Sequence, residues 1–167
     1  MSETFDKIFK LMEESFPKEE YREYKEQKKL LYKPEYSIIA KKDKEDNLLG
    51  FISSWKIDKF NFIEHFAVNP SMRGKGIGSE MLKDFIKNST YPIILEVELP
   101  NNEMSIRRIK FYEKLGFVLN YFKYHQMPLK KNCNPIEMYI MSYPKALTLE
   151  EFKSIKNSIY KIVYPIG

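Results

Sequence analysis

Apolar residues recur along this chain with two different periods, and the switches between them divide it into elements. Phe5, Ile8, Phe9, Met12 and Phe16 fall at helical spacing between lysines and glutamates, which predicts a helix over 4–16 ended by Pro17. A second, highly charged helix is expected over 19–32, with Tyr21, Tyr24, Lys28 and Leu31 on one stripe. The period then shortens. Strands are predicted over 36–41, 48–57 and 60–68, joined by a polar turn at 42–47 and a tight turn at Asp58-Lys59, an antiparallel meander. Ile77, Met81, Leu82, Phe85 and Ile86 share a helical face in a segment running to about Asn88. A strand over 91–99 follows; reached through a helix, it is expected to lie parallel beside its predecessor with a right-handed crossover. A helix over 103–115 stops at Gly116, strands over 117–127 and 136–143 flank a loop at 128–135, and an amphipathic helix closes the chain over 148–164.

Between the third strand and the helix after it stands Val68-Asn69-Pro70-Ser71-Met72-Arg73-Gly74-Lys75-Gly76-Ile77-Gly78-Ser79. Its glycines occupy alternate positions, and glycine permits close backbone approach and φ angles that other residues avoid. Amides of the helix's first turn lack intrahelical acceptors, and the macrodipole favours an anion beside them. The stretch therefore predicts a phosphate cradle. The dinucleotide fingerprint does not fit, because the third glycine comes one residue early and several strands precede it. The nucleotide P-loop does not fit either, because Gly74-Lys75 is followed by Gly76 rather than Ser or Thr.

What remains is an Arg-x-x-Gly-x-Gly pattern from Arg73 to Gly78, joined by Phe111-Tyr112-Glu113-Lys114-Leu115-Gly116-Phe117 about one βα unit later. Together these resemble the GNAT superfamily of acetyl-CoA-dependent N-acetyltransferases, whose pyrophosphate loop reads [RQ]-x-x-G-x-[GA]. The resemblance covers nearly the whole chain to Tyr143. It implies an α/β (α+β) fold, a mixed, mostly antiparallel twisted sheet with helices on both faces. It also implies one N-acetyltransferase domain over 1–167, with a core of about 3–143 and a helical extension of about 148–164. Acetyl-CoA would be held by Phe66, Ala67, Val68, Arg73, Gly74, Lys75, Gly76, Ile77, Gly78, Ser79, Ser105 and Tyr112. Tyr112 would serve as general acid toward the departing thiolate, a role open to a phenol of pKa ~10. Many members carry Asn and Ala where this chain has Ser105 and Arg108; Ser105 still offers one hydrogen bond, and Asn102 lies close enough in sequence to substitute.

The acceptor amine must lose a proton before it attacks. Candidate bases are Glu64 and His65 on the third strand and Glu96 and Glu98 on the fourth. Strict alternation puts Phe62, Glu64, Phe66 and Val68 on one face and Ile63, His65 and Ala67 on the other, unless a bulge, frequent in this strand of the family, intervenes. Glu64 is the first choice, on the expectation that a partly apolar pocket raises its pKa.

Composition narrows the picture further. The 167 residues fit one domain. No run approaches the ~20 apolar residues of a membrane span, and the N-terminus lacks the basic and apolar regions of a secretory signal, so a soluble, cytoplasmic protein without a membrane partner is expected. One cysteine and two histidines speak against a disulfide and a metal site. Net charge is +5, scattered along the chain, and no nucleic-acid-binding signature accompanies it. The acceptor is read as a small-molecule amine or a peptide, and the protein as a monomer or homodimer. The alternative is a catalytically silent member retained for CoA binding or regulation.

Overall fold

In the computed structural model, which describes residues 2–164, the elements run α1 (Ser2–Ser15), α2 (Tyr24–Lys29), β1 (Tyr36–Lys42), β2 (Leu48–Ile57), β3 (Phe60–Val68), α3 (Ile77–Lys87), β4 (Ile93–Glu98), α4 (Glu103–Lys114), β5 (Val118–Gln126), β6 (Ile136–Tyr143) and α5 (Leu149–Ile162). The six strands are ordered β1-β2-β3-β4-β6-β5. β1–β2, β4–β6 and β5–β6 are antiparallel, so the sheet is mixed α/β and mostly antiparallel, as the element order implied. The chain packs as two units, one of residues 1–55, 63–88 and 129–133 and the other of 56–62, 89–128 and 134–167.

In the first unit the helical stripe of α1 does what its spacing predicts. Phe5, Ile8, Phe9, Leu11 and Met12 are buried with Tyr21, Leu48, Phe51 and Ala67 in one cluster. α3 buries Ile77, Met81, Leu82 and Phe85. At Gly50 on β2 there is no room for a side chain: a Cβ would stand 2.8 Å from the Ala67 carbonyl oxygen and 3.0 Å from Met81 Sδ. This close approach sets how tightly β2 underlies the end of β3.

The expected helix over 19–32 is corrected. A turn of 3₁₀ helix covers Lys18–Glu20, α2 spans only Tyr24–Lys29, and a second 3₁₀ turn covers Leu30–Tyr32. Tyr21 (φ −143°, ψ 160°) and Glu23 (φ −60°, ψ 153°) are extended. The physical reason is Arg22, 7% exposed between them, whose backbone amide and guanidinium both donate to the buried Gln27 side chain at 3.3 Å. With its amide bonded to a side chain rather than to a helical carbonyl, Arg22 interrupts the expected helix.

In the second unit α5 begins with a capping box between Thr148 and Glu151 and buries Phe152 and Ile159. Asn120 is the polar hub of this unit. Its Nδ2 donates to the Ile140 carbonyl (3.1 Å) and to Ser142 Oγ (3.0 Å), while its Oδ1 accepts from Leu147 N at 2.9 Å. Beyond Asn120 the β5–β6 register shifts: Asn120 pairs with Ile140 and Tyr124 with Met138, so residues 121–123 stand opposite Tyr139 alone.

Gly50→Ala is expected to lower stability by about 1–3 kcal/mol in urea denaturation, through overpacking against the end of β3.

Candidate active site

The cradle is built from the β3 end outward. Asn69 N donates to the Leu49 carbonyl at 2.8 Å and its Nδ2 to the Leu48 carbonyl at 3.2 Å, while its Oδ1 accepts from Ser71 N at 3.1 Å. The turn's entry is thus pinned to β2, a role for Asn69 that its sequence neighbourhood only hinted at through the Asn-Pro pair. Gly74 and Gly76 then adopt φ of 81° and 77°, the left-handed region that a side chain penalises. A Cβ at either would meet nothing within 4 Å. These glycines serve backbone conformation and leave open space in front of them. The first intrahelical bond of α3 runs from Glu80 N to the Gly76 carbonyl at 3.0 Å, so the amides of Ile77, Gly78 and Ser79 precede the hydrogen-bonded helix. Arg73, Gly74, Lys75 and Gly76 are exposed, Gly78 and Ser79 half-buried, and Ile77 buried as the helix's anchor. This arrangement suits an anion held by main-chain amides and flanking cations.

Behind the cradle on β3, Ala67 is buried in the α1 cluster, whereas Phe66 and Val68 are half-buried. The Glu64 side chain is only 1% exposed although the residue as a whole is half-buried, so what it shows is main chain. Its carboxylate receives the Trp55 indole N–H at 2.8 Å and faces Arg22 Nη1 at 2.9 Å. His65 is also buried. Its backbone N donates to Ser53 Oγ at 3.0 Å, its Nε2 lies 2.7 Å from the Glu20 carbonyl, and Phe16 stands edge-on 5.0 Å away. Glu64 and His65 are adjacent, and both meet the 20–22 segment.

The expected electrostatics of Glu64 are corrected by this geometry. Burial pushes its pKa up, but the Arg22 guanidinium, His65 and the Trp55 hydrogen bond outweigh burial and hold it below the ordinary carboxylate value. The pocket is charged, not apolar. Burial likewise pushes the His65 pKa below its ordinary value. Arg22 is the member of this group that sequence reasoning missed, and no local pattern marks it.

In the other unit, Tyr112 lies near the end of α4, 8% exposed between Phe111 and Phe117 at ring distances of 5.3 and 5.6 Å. The helix ends there because the Tyr112 carbonyl accepts from Leu115 N (3.0 Å) and Phe117 N (3.1 Å), with Gly116 at φ 101°. Burial pushes the phenol up to about 12. Its hydroxyl makes no hydrogen bond to the described residues. Ser105 is 3% exposed and its Oγ donates to Glu98 Oε2 at 3.4 Å. Asn102 caps α4 by accepting from Ser105 N at 2.9 Å, which commits the side chain considered as a substitute for the family's asparagine. Arg108 faces Glu98 at 3.6 Å.

Residues 3–117 match the sequence profile of the Acetyltransferase (GNAT) family. The chain belongs to this family. It is accordingly an acyltransferase. A GNAT-family protein of solved structure from Bacteroides thetaiotaomicron is 33% identical, with a TM-score of 0.91 over 99% of this chain and 94% of that one. More distant structures share the fold. An aminoglycoside 6'-N-acetyltransferase complexed with coenzyme A is 19% identical (TM-score 0.62; 86% of this chain, 92% of that one). A chimeric spermidine N-acetyltransferase from Vibrio cholerae and a second parent is 17% identical (TM-score 0.60; 83% and 89%). No protein of curated function matches the sequence. No helix among the described residues is long and apolar enough to cross a membrane.

Arg22→Met would leave the Glu64 carboxylate buried without its cation and is expected to cost about 3–5 kcal/mol in denaturation at pH 7. With a depressed folded pKa, the stabilisation from Glu64 is present above its unfolded value of 4.5 and is lost as pH falls through the lower folded value. Glu64→Gln should therefore flatten the acid limb of the stability curve below pH 4.5; an unchanged limb would show that Glu64 is not held as a carboxylate.

Proposed function

We propose that this protein is an acetyl-CoA-dependent N-acetyltransferase, a single catalytic domain that acetylates a primary amine of a small molecule or peptide by direct attack in a ternary complex. The observation that carries the reading is the α3 N-terminus. Two left-handed glycines hold open space in front of amides that have no helical acceptor. That chemistry fits a pyrophosphate, with Gly74 to Ser79 supplying amides and Arg73 and Lys75 supplying charge.

Acetyl-CoA would bring a thioester carbonyl to the amine. In the balanced step a C–N bond forms as the C–S bond breaks, the nitrogen gives up a proton to water, and the sulfur takes one. Tyr112 is proposed as the donor of that proton. Its buried phenol keeps its hydrogen at working pH, and its hydroxyl is not committed to a described neighbour. Glu64 is proposed as a fixed negative charge rather than the proton acceptor, because a carboxylate held below its ordinary pKa by Arg22 is a weak base. Phe66 and Val68 are proposed to contribute main chain to the cofactor. Ser105 is proposed to do so only after releasing Glu98.

A second reading is a catalytically silent CoA-binding member. The commitment of Ser105 to Glu98 and of Asn102 to its helix cap favours it, since both remove side chains that would meet the pantetheine arm.

Amine-dependent release of CoA thiol, followed across alkylamines, polyamines, aminoglycosides and peptides, separates the two readings. Turnover is expected, with kcat falling roughly 10²–10⁴-fold in Tyr112→Phe at little change in KM for acetyl-CoA. Binding without turnover on every amine would establish the silent reading. Gly76→Glu, which puts a strained side chain and a negative charge into the open space, should abolish the calorimetric signal for acetyl-CoA.

A further inference from the structure

The Glu96 carboxylate on β4 gathers more polar partners than any catalytic role assigned above requires. Tyr124 donates its hydroxyl to Oε2 in a short hydrogen bond, Gln126 Nε2 donates to Oε1 at 2.9 Å, and the Tyr164 hydroxyl reaches both oxygens at 2.9 and 3.0 Å. Tyr124 and Gln126 come from β5 beyond its register shift, and Tyr164 stands just past the end of α5. Tyr124 is fully buried, Tyr164 is 3% exposed and Gln126 6% exposed. The rings of Tyr124, Tyr160 and Tyr164 follow one another at 5.6 and 6.4 Å. Tyr160 is itself fixed, its hydroxyl donating to the His125 carbonyl at 2.6 Å.

One atom of this group is unused. Gln126 Oε1 is buried and accepts no hydrogen bond, although its Nε2 is engaged. A buried acceptor without a donor costs about 1–3 kcal/mol, and a ligand N–H would relieve that cost. The chemistry of that ligand follows from what the cluster presents: a carboxylate, an unused amide oxygen and aromatic faces, each attracted to positive charge or to N–H. Anions are repelled by all three. A neutral alcohol offers one donor and no charge. A primary ammonium offers three donors and a compact charge, matching carboxylate, amide oxygen and ring faces together.

We propose that the Glu96 cluster is the seat of an ammonium group of the acceptor substrate, with Glu96 and Gln126 as its specificity-determining residues. The proposal rests on the reading of the protein as an amine acetyltransferase and names the residues that choose the amine. It also explains what α5, which lies beyond the segment matched to the family, contributes to the site, since the end of that helix delivers the Tyr164 hydroxyl to the carboxylate.

Binding of n-butylammonium to the whole protein, without acetyl-CoA, is the test, with butan-1-ol as the uncharged comparison. Tyrosine ring signals are read by NMR on protein labelled at tyrosine. Saturable shifts of Tyr124 and Tyr164 by n-butylammonium and none by butan-1-ol are expected. Glu96→Gln should weaken that binding about tenfold or more, as loss of a charge-assisted contact does, while acetyl-CoA affinity stays unchanged. If Glu96→Gln fails to fold, the wild-type tyrosine shifts carry the decision alone. Unmoved Tyr124 and Tyr164 signals, or equal amine affinity in a folded Glu96→Gln protein, would make the cluster a purely structural one and overturn the proposal. Acetyl-CoA binding and CoA release are separate readouts, so the donor reading fails or stands independently.

Discussion

A backbone in the left-handed region at the mouth of α3 is the constraint on which the rest of the site depends. Gly76 at φ 77° is the residue from which the helix starts, and Gly74 at φ 81° prepares the turn. Most other residue types would resist these angles, and any side chain would occupy part of the space in front. Everything around them serves to hold that conformation in place. Asn69 ties the turn's entry to β2, the Ile77 side chain sinks into the core from within the cradle, and Gly50 lets β2 approach the last residues of β3. The proposed anion site would thus be a property of the main chain, oriented by side chains that do not belong to it.

A second constraint is the buried pair of Arg22 and Glu64. Taking both charges out of water is unfavourable, and the pair is supported by Gln27, which accepts from the Arg22 guanidinium, and by Trp55, which donates to one carboxylate oxygen. Its consequence for chemistry is indirect but definite. A carboxylate pinned by a guanidinium and an indole is a weak base, and the amine-binding group proposed above is Glu96 instead. There Tyr124, Tyr164 and Gln126 donate from neutral groups, and the Gln126 amide oxygen accepts no hydrogen bond.

Much of this is legible in the sequence because it is local. Hydrophobic period marks every strand and four of the five helices to within a few residues, and glycine spacing locates the cradle without any coordinates. The Gly116 stop and the Tyr112 position follow from the same kind of signal. What escapes is non-local. Nothing around Tyr21-Arg22-Glu23 announces that Arg22 turns inward to a strand more than forty residues away, so the segment reads as a charged surface helix where a short helix and two 3₁₀ turns stand. The register shift in β5 is equally silent, since it depends on how residues 121–123 accommodate Tyr139. That Glu64 and His65 meet the same segment is likewise non-local. The sign of the Glu64 shift cannot be read without knowing that Arg22 is there.

If main-chain amides between Gly74 and Ser79 hold the pyrophosphate of CoA, a crystal structure of the protein with CoA shows it most directly. Pyrophosphate density is predicted within hydrogen-bonding distance of those amides, with Gly74 and Gly76 still left-handed. CoA bound with its pyrophosphate elsewhere, or a turn that must refold to admit it, would contradict this assignment.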